Sequence, residues 1–472
     1  MHNLAIALHL KGATVTGSDD EIFDPARSRL ARYGLLPADE GWHPERITRD
    51  LDAVVLGMHA RQDNPELLRA QELGIKIYSY PEYLYEQSKD KTRIVIGGSH
   101  GKTTTTAMIL HVLSHCGIDA DYMVGAQLEG FEVMVKLSKE ARVMVIEGDE
   151  YLTSPIDRRP KFHLYRPNVA IITGIEWDHV NVFPTFEIYK QQFARFVELI
   201  EPNGTLVYCN DDTEVADVAR SCRRTDISKV PYDVPQYTVG NGITSLVTAN
   251  GTTVPLRIFG RHNLLNLTAA RYACNAIGIA DEQFDAAIQT FGGASKRLEL
   301  VLADEPRHCA VYKDFAHAPS KLRATVGAMR EQYPDRRLIA CMELHTFSSL
   351  TADFLTHYRG CMQKADIAVV YFNPHAVAHK HLPPLSVEQV KEAFGNNVAF
   401  ESDEQSELVR SAMTEHRLAK QSDIKVFDNS ALMLDYLRTL YTPQTTNQNL
   451  LMMSSGNFDG LDFNTVATEL LG

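Results

Sequence analysis

IVIGGSHGKTTTT, residues 94–106, decides how this chain folds. An apolar, β-branched run gives way to two glycines, a short polar turn and Gly101-Lys102-Thr103, and a helix-like segment follows. A buried strand that ends in glycines and passes into a helix is a phosphate cradle. Glycine lets backbone N–H groups turn inward around oxygens. The helix start adds unpaired N–H groups and the positive end of its dipole. Gly98, Ser99, His100 and Gly101 would line the cradle, Lys102 would reach the β- and γ-phosphates, and the hydroxyl of Thr103 or Thr104 would ligate Mg²⁺. The common spacing G-x-x-x-x-G-K-[ST] is not met, because Ile96 stands five residues before Gly101. Counted from Gly97 the loop is one residue shorter, G-x-x-x-G-K-T. The plainer alternative is an ordinary strand–helix turn; strand, glycine pair, GKT and helix in series favour a nucleotide.

The rest of the composition suits such a protein. At 472 residues, 44% hydrophobic and 23% charged, the chain has room for two to four globular domains. Its 47 basic against 60 acidic residues, a net charge of −13, speak against a general nucleic-acid or acidic-membrane binder. Phosphate binding needs only a few local cations and backbone amides. The 7 cysteines form no CxxC pair, so a zinc site or disulfide framework is not expected, and a reducing compartment is. There is no basic-then-apolar leader and no apolar run of the ~18 residues a membrane span needs. The expectation is a cytoplasmic protein with no nucleic-acid or membrane partner and an oligomeric state the sequence does not set.

The cradle sits within a longer strand–helix alternation, which predicts an α/β protein with parallel sheets. In residues 1–89, MHNLAIALHLKG reads as a helix, ATVTGSD as a strand and turn, ARSRLARYG as a helix, LDAVVLGM as a strand, NPELLRAQELG as a helix and IKIYSY as a strand. Such a unit should open with a strand and a glycine turn, yet this one opens inside a helix, so its first strand is missing or lies upstream of Met1. The polar stretch EQSKDKT marks a boundary before a central domain, 90–294. There ARVMVIEGDE and NVAIITGI read as strands, FEIYKQQFARFVELI and LLNLTAARYACNAIG as helices, and the stretch punctuated by Asn-Gly after residue 234 as hairpins. A third α/β domain, 295–472, holds strands AVYKDFA, RRLIACMEL and DIAVVYF, helix PSKLRATVGAMREQY and a further helix to about Lys364.

Other stretches carry chemistry. VIEGDEY ends an apolar strand with Glu147, Asp149 and Glu150, oxygen ligands that suit a hard cation; the bland reading is a solvated strand end. ITGIEWDHVNVF places Asp178-His179 after another strand, a dipeptide that is structural unless a phosphate loop lies beside it. FGRHNLLNLTAA puts His262, Asn263 and Asn266 on the first turns of a helix. Their amides can pair with an adenine edge, or simply cap the helix.

Jointly, these stretches resemble the Mur ligase family of ATP-dependent ligases in peptidoglycan synthesis, over nearly the whole chain. GGSHGKTTT is similar to the family's G-T-x-G-K-T-T loop, EGDEY to its carboxylate motif, Asp178-His179 to its DH motif, and Gly260, His262, Asn263 and Asn266 to its G-x-H-N-x-x-N motif. Arg297 in SKRLE, and Asp314 with His317 in KDFAHAPS, look like its third-domain nucleotide contacts. The resemblance implies three domains: a Rossmann-like N-terminal one for a UDP-sugar, a central P-loop ATPase and a Rossmann-like C-terminal one. It implies ATP and Mg²⁺ as cofactors and UDP-N-acetylmuramate plus an amino acid or peptide amine as substrates. Phosphorylation of the lactyl carboxylate would give an acyl phosphate, which the amine attacks.

The implied catalytic set is Lys102, Glu147, His179 and Arg297. Thr103, with Thr104 as second choice, would hold Mg²⁺ with Glu147, and His179 a second Mg²⁺. His262, Asn263 and Asn266 would hold adenine, Arg297 the phosphates and Asp314 the ribose, with His317 nearby. Ser18 and Asp19 in GSD, Asn64 in DNPE, Glu150 and His345 would contact substrate. The family's glycine-rich UDP turn is absent. So is its carbamoylated lysine, where Phe193-Ala194-Arg195 stands; the branches that add L-alanine or the tripeptide L-alanyl-γ-D-glutamyl-meso-diaminopimelate also lack that lysine. His100 is typical of both, and EGDEY, KFHLYRPN, KRLE and DFAHAP favour the tripeptide. ELHTFSS, residues 343–349, stands where the amine is selected and matches neither branch cleanly. A folate-type polyglutamate ligase, which lacks the N-terminal unit, and a non-enzymatic ATP-binding regulator are the rival classes.

Overall fold

The computed structural model describes residues 1–125, 131–154, 156–177, 182–248, 250–294, 297–395 and 423–472. It is α/β throughout, and it divides into two compact units. Unit 1 comprises residues 1–236, 246–257 and 262–294; unit 2 comprises 237–245, 258–261 and 295–472.

Unit 1 opens with helix α1 (His2–Leu10) and continues through α2 (Ala26–Arg32), β1 (Val54–Leu56), α3 (Pro65–Leu73), β2 (Ile77–Ser79) and α4 (Tyr80–Ser88). β1 and β2 form a two-stranded parallel sheet. The helix boundaries follow from capping. Asn64 Oδ1 accepts from the N–H groups of Glu66 and Leu67 to start α3, and Gly74, at φ 68°, ends it. A reciprocal Ser79–Glu82 capping box starts α4, which runs into the polar stretch read as a boundary. Residues 13–19 do not form the expected strand. They are mostly exposed and join no ladder, and a β-branched run becomes a strand only where a neighbour takes its hydrogen bonds. The buried cluster of this segment, Ile6, Ile22 and Leu30, closes on Val133 from beyond residue 90.

Next come β3 (Thr92–Gly97), α5 (Lys102–His115), β4 (Ala120–Met123), β5 (Val135–Lys136), β6 (Val143–Glu147), β7 (Val169–Ile172), α6 (Phe186–Glu198), β8 (Thr205–Cys209), α7 (Thr213–Ser221) and β9 (Ser228–Tyr232). They make a seven-stranded sheet in the order β5-β4-β6-β3-β7-β8-β9, parallel except for β5. Ile94, Val95, Ile96, Val145, Ile146, Ile171 and Ile172 are wholly buried, as expected of strands covered on both faces. From β3 the chain turns toward β4; from β7 it turns the other way, toward β8. The carboxyl ends of β3 and β7 are therefore a topological switch point, where α/β sheets bind ligands.

β10 (Tyr237–Gly240), β11 (Ile243–Val247) and β12 (Thr253–Leu256) form a small separate sheet, the predicted hairpins. Asn241 and Gly242 take φ 51° and 73°, the left-handed pair of a type I′ turn. α8 (Arg261–Ala276) and α9 (Asp281–Ile288) follow.

Unit 2 holds β13 (Glu299–Asp304), β14 (Cys309–Asp314), α10 (Pro319–Gln332), β15 (Arg337–Leu344), β16 (Ile367–Phe372), β17 (Asp423–Phe427) and β18 (Gln448–Met453). Their order is β13-β14-β18-β15-β16-β17, parallel except for β13. Alternate residues of β15 feed opposite cores: Leu338, Ala340, Met342 and Leu344 one face, Ile339 and Cys341 the other. The helix expected to run to about Lys364 is instead three short turns. Thr351 is extended (φ −103°, ψ 135°), Arg359 is at φ −54°, ψ 126°, and Gly360 at φ 70°, so no continuous helix passes through them.

Candidate active site

The loop after β3 has the backbone of a cradle. Gly98 takes φ 138° and Gly101, the residue before α5, takes φ 78°. A Cβ on Gly98 would overlap Thr173 Oγ1, and one on Gly101 would overlap Asn266 Oδ1. Glycine is required at both for space as well as for conformation. Thr173, at the end of β7, donates to the carbonyls of Gly97 (3.2 Å) and His100 and ties the loop down. Ser99 Oγ accepts from Glu176 N–H at 2.8 Å. The His100 ring occupies the space a side chain at Gly174 would need.

Lys102 is the charged centre. Its Nζ donates to Gly98 O at 2.6 Å and to Glu150 Oε2 at 2.8 Å. Burial alone would push the Lys102 pKa down; Glu150, Asp149 and Glu147 outweigh it and leave the ammonium raised above its ordinary value. Glu150 is buried, and its other oxygen accepts from Tyr189 OH at 3.2 Å; that hydroxyl lies 3.0 Å from Ser99 Oγ. Asp149 pairs with Lys161 at 2.6 Å. Glu147, at the end of β6, is buried, accepts from Thr103 Oγ1 at 2.8 Å and takes Gly125 N–H at 2.8 Å on its second oxygen. A carboxylate and a hydroxyl side by side at the cradle's mouth are hard oxygen donors of the kind Mg²⁺ accepts. Thr104 is buried on the same turn of α5. His179, and Asp178 with it, lie outside the described residues.

α8 brings its amides to the same loop. Asn263 and Asn266 are buried, and Asn266, pressed against Gly101, has no hydrogen-bond partner among the described residues. His262 is half-buried on the first turn of α8. A crevice of about 400 Å³ opens at the switch point, lined by His100, Thr173, Ile175 and Leu265 together with Asp211 to Glu214. Asp212 is spent on structure: it caps α7 and accepts from Ile175 N–H at 2.9 Å.

Other expected residues sit elsewhere. In unit 2 the Arg297 guanidinium stacks over the Phe315 ring, 4.7 Å from its centroid. Asp314 is turned inward, accepting from the N–H groups of Leu298 (2.7 Å) and Ala316 (2.6 Å). Burial raises its pKa against the opposing pull of Arg297 and those N–H groups. His317 Nδ1 lies 2.8 Å from Phe315 O. His345 is exposed at the end of β15. In unit 1, Asn64 serves as the cap of α3, Asp19 is exposed, and Ser18 is half-exposed beside it. Sequence reasoning missed Tyr189, Thr173 and Lys161. Tyr189 lies on the apolar stripe of α6 with Phe193 and Phe196 and reads there as core.

Comparison with known proteins gives the same picture. Residues 1–92 match the model "Mur ligase family, catalytic domain" and residues 96–274 match "Mur ligase middle domain". The UDP-N-acetylmuramate–L-alanine ligase of Arthrobacter sp. (strain FB24) is 31% identical over 381 residues, 78% of this chain and 78% of that one. Among solved structures, the murein peptide ligase of Psychrobacter arcticus matches with a TM-score of 0.58 at 22% identity, covering 100% of this chain and 96% of that one. The UDP-N-acetylmuramate:L-alanyl-γ-D-glutamyl-meso-diaminopimelate ligase of Neisseria meningitides matches with a TM-score of 0.55 at 25% identity, covering 62% of this chain and 94% of that one. With the cradle, the paired Thr103 and Glu147 and the amides of α8 in place, the chain belongs to the Mur ligase family, the ATP-dependent amide-bond ligases of peptidoglycan precursors.

Proposed function

We propose that this chain joins the lactyl carboxylate of UDP-N-acetylmuramate to the amino terminus of L-alanyl-γ-D-glutamyl-meso-diaminopimelate. The observation that carries the reaction type is the glycine cradle closed by Lys102 beside Thr103 and Glu147. A carboxylate is a poor acyl donor at neutral pH, so its phosphorylation by ATP must precede attack by the amine. No enzyme nucleophile is needed: the residues position the partners and offset phosphoryl charge. Lys102 holds the β- and γ-phosphates, and backbone N–H groups of residues 100–103 take the remaining oxygens. Asn266, with Asn263 and His262, reads the purine, for which the 400 Å³ crevice has room. Thr103 (or Thr104), Glu147 and His179 would hold Mg²⁺, which when bound would neutralise phosphoryl charge. Arg297, Asp314 and His317 are further nucleotide contacts, and Ser18, Asp19, Asn64, Glu150 and His345 substrate contacts, on the family resemblance. The same resemblance supports division into domains 1–89, 90–294 and 295–472. Among the described residues no helix is long and apolar enough to cross a membrane, which accords with a cytoplasmic site of action.

The tripeptide is favoured by the EGDEY, KRLE and DFAHAP stretches and by the names of the Psychrobacter and Neisseria structures. The second reading, L-alanine as the amine, rests on the names of the curated relatives. The test is ADP release with UDP-N-acetylmuramate and each of the tripeptide, L-alanine and L-glutamate. Turnover with the tripeptide is expected; turnover with L-alanine alone selects the second reading.

A further inference from the structure

Unit 2 has its own switch point. β14 leads into α10, which packs on one face of the sheet, and the chain then passes β18 to reach β15. β18 leads instead into the helix Phe463–Leu471, whose Val466, Ala467 and Leu470 pack on the other face. Neighbouring strands that send their connections to opposite faces leave a crevice outside their carboxyl ends.

Glu343 lies on β15, the other neighbour of β18 in the sheet, one residue from that strand's carboxyl end, with only 3% of its surface exposed. Its Oε2 is fully used. It accepts from Ser454 Oγ and from Phe458 N–H (2.8 Å). These bonds hold the turn after β18, in which Phe458 and Asp459 are left-handed in succession at φ 49° and 63°. Non-glycine residues take that backbone at a cost and only where packing over-determines it; the buried Phe458 ring, 5.9 Å from Phe463, supplies the packing. The loops approach so closely that a Cβ on Gly456 would lie 2.8 Å from Glu343 Oε2 and 2.7 Å from His345 Cδ2. Glu343 Oε1, by contrast, has no partner among the described residues. On the same loop, Phe347 leaves 59% of its surface in solvent. A carboxylate offers about four acceptor sites, and those on Oε1 are open to solvent and free for a ligand.

The ligand that suits a lone acceptor oxygen on a nearly buried anion is an ammonium. Of the two amine substrates weighed above, L-alanine has only the amino group that must attack. The tripeptide carries a second one, on its diaminopimelate end. We infer that Glu343 is the specificity residue for the incoming peptide and that its Oε1 binds the free ammonium of the diaminopimelate. This rests on the tripeptide reading.

The test uses the full chain and three peptides, ending in meso-diaminopimelate, L-lysine (ammonium kept, carboxylate lost) and 2-aminopimelate (carboxylate kept, ammonium lost). A charge-assisted hydrogen bond is worth roughly 10- to 100-fold in affinity. The wild type should therefore lose about tenfold or more in kcat/KM on the aminopimelate peptide, and much less on the lysine peptide. Glu343→Gln keeps an acceptor for Ser454 and Phe458. It should raise KM about tenfold for the two ammonium-bearing peptides, leave the aminopimelate peptide unchanged, and leave kcat and the KM for ATP within about twofold. An equal loss on all three peptides, or a fall in kcat with KM unmoved, would reduce Glu343 to a strut for the turn and overturn the inference. So would a wild type that does not distinguish the peptides, a result that needs no variant. Turnover of L-alanine with no turnover of any peptide would overturn the tripeptide reading itself.

Discussion

Lys102 shows how a site residue is held by what the sequence cannot display. Its place after Gly101 is legible in GKT; its partner Glu150 and the Tyr189 hydroxyl behind that carboxylate come from 48 and 39 residues further on. Those contacts exist only because β6 and α6 pack beside the loop. Lys102→Ala should abolish ligation, with ADP release down by about 10³-fold or more. It should also cost about 3 kcal/mol, because Glu150 is left buried without its cation. Urea unfolding read by circular dichroism checks the second figure. Adding Glu150→Gln should recover much of the stability and none of the activity. His163 was equally invisible. It stacks on Phe162 at 4.9 Å, lies 2.8 Å from Gln192 O, and burial lowers its pKa to about 4. Between pH 6.5 and about 4 the unfolded chain binds this proton and the folded chain does not, so stability falls as pH falls through that window. His163→Gln should flatten the slope by up to about 3 kcal/mol across it, and unfolding midpoints at pH 6.5 and 4.5 would show no change in slope if the reading is wrong.

Among the elements, those with a strong period or sharp punctuation were readable and those whose form depends on a neighbour were not. The helix from Lys102, the strands around it and the Asn-Gly turn stood out because local chemistry agrees with the fold. ATVTGSD has strand composition but no ladder to join, and the segment after β15 has helical composition broken at Thr351 and Arg359. Two glycines test the local rules. At Gly242, φ 73° and a Cβ 3.0 Å from the Tyr333 ring predict that Gly242→Ala costs about 1 kcal/mol or more, seen as a lower urea midpoint with activity kept. At Gly101 the clash would fall on Asn266. Gly101→Ala should weaken ATP binding about tenfold or more in calorimetry while lowering stability by a similar ~1–2 kcal/mol. Loss of stability without loss of affinity would mean that Asn266 does not meet the nucleotide.

At the scale of the whole chain, each unit has its own large sheet, seven-stranded in unit 1 and six-stranded in unit 2, buried on both faces. The cradle, Glu147 and α8 beyond its first residue all belong to unit 1, whereas Arg297 and Asp314 belong to unit 2. A ligand that binds only the folded state stabilises it by RT ln(1 + [L]/Kd), about 2.7 kcal/mol at 100 times Kd. If the cradle carries the binding, a non-hydrolysable ATP analogue must act first on the elements that form it. Hydrogen exchange should slow in residues 94–106 and 262–276 by up to about 100-fold at that concentration, as the linkage requires. Lys102→Ala should lose the protection in both segments together, because one ligand supplies it to both. Exchange that slows at 309–317 while 94–106 stays unchanged would place the primary phosphate contacts in unit 2. That outcome would remove the cradle from the mechanism even if the chain still ligates.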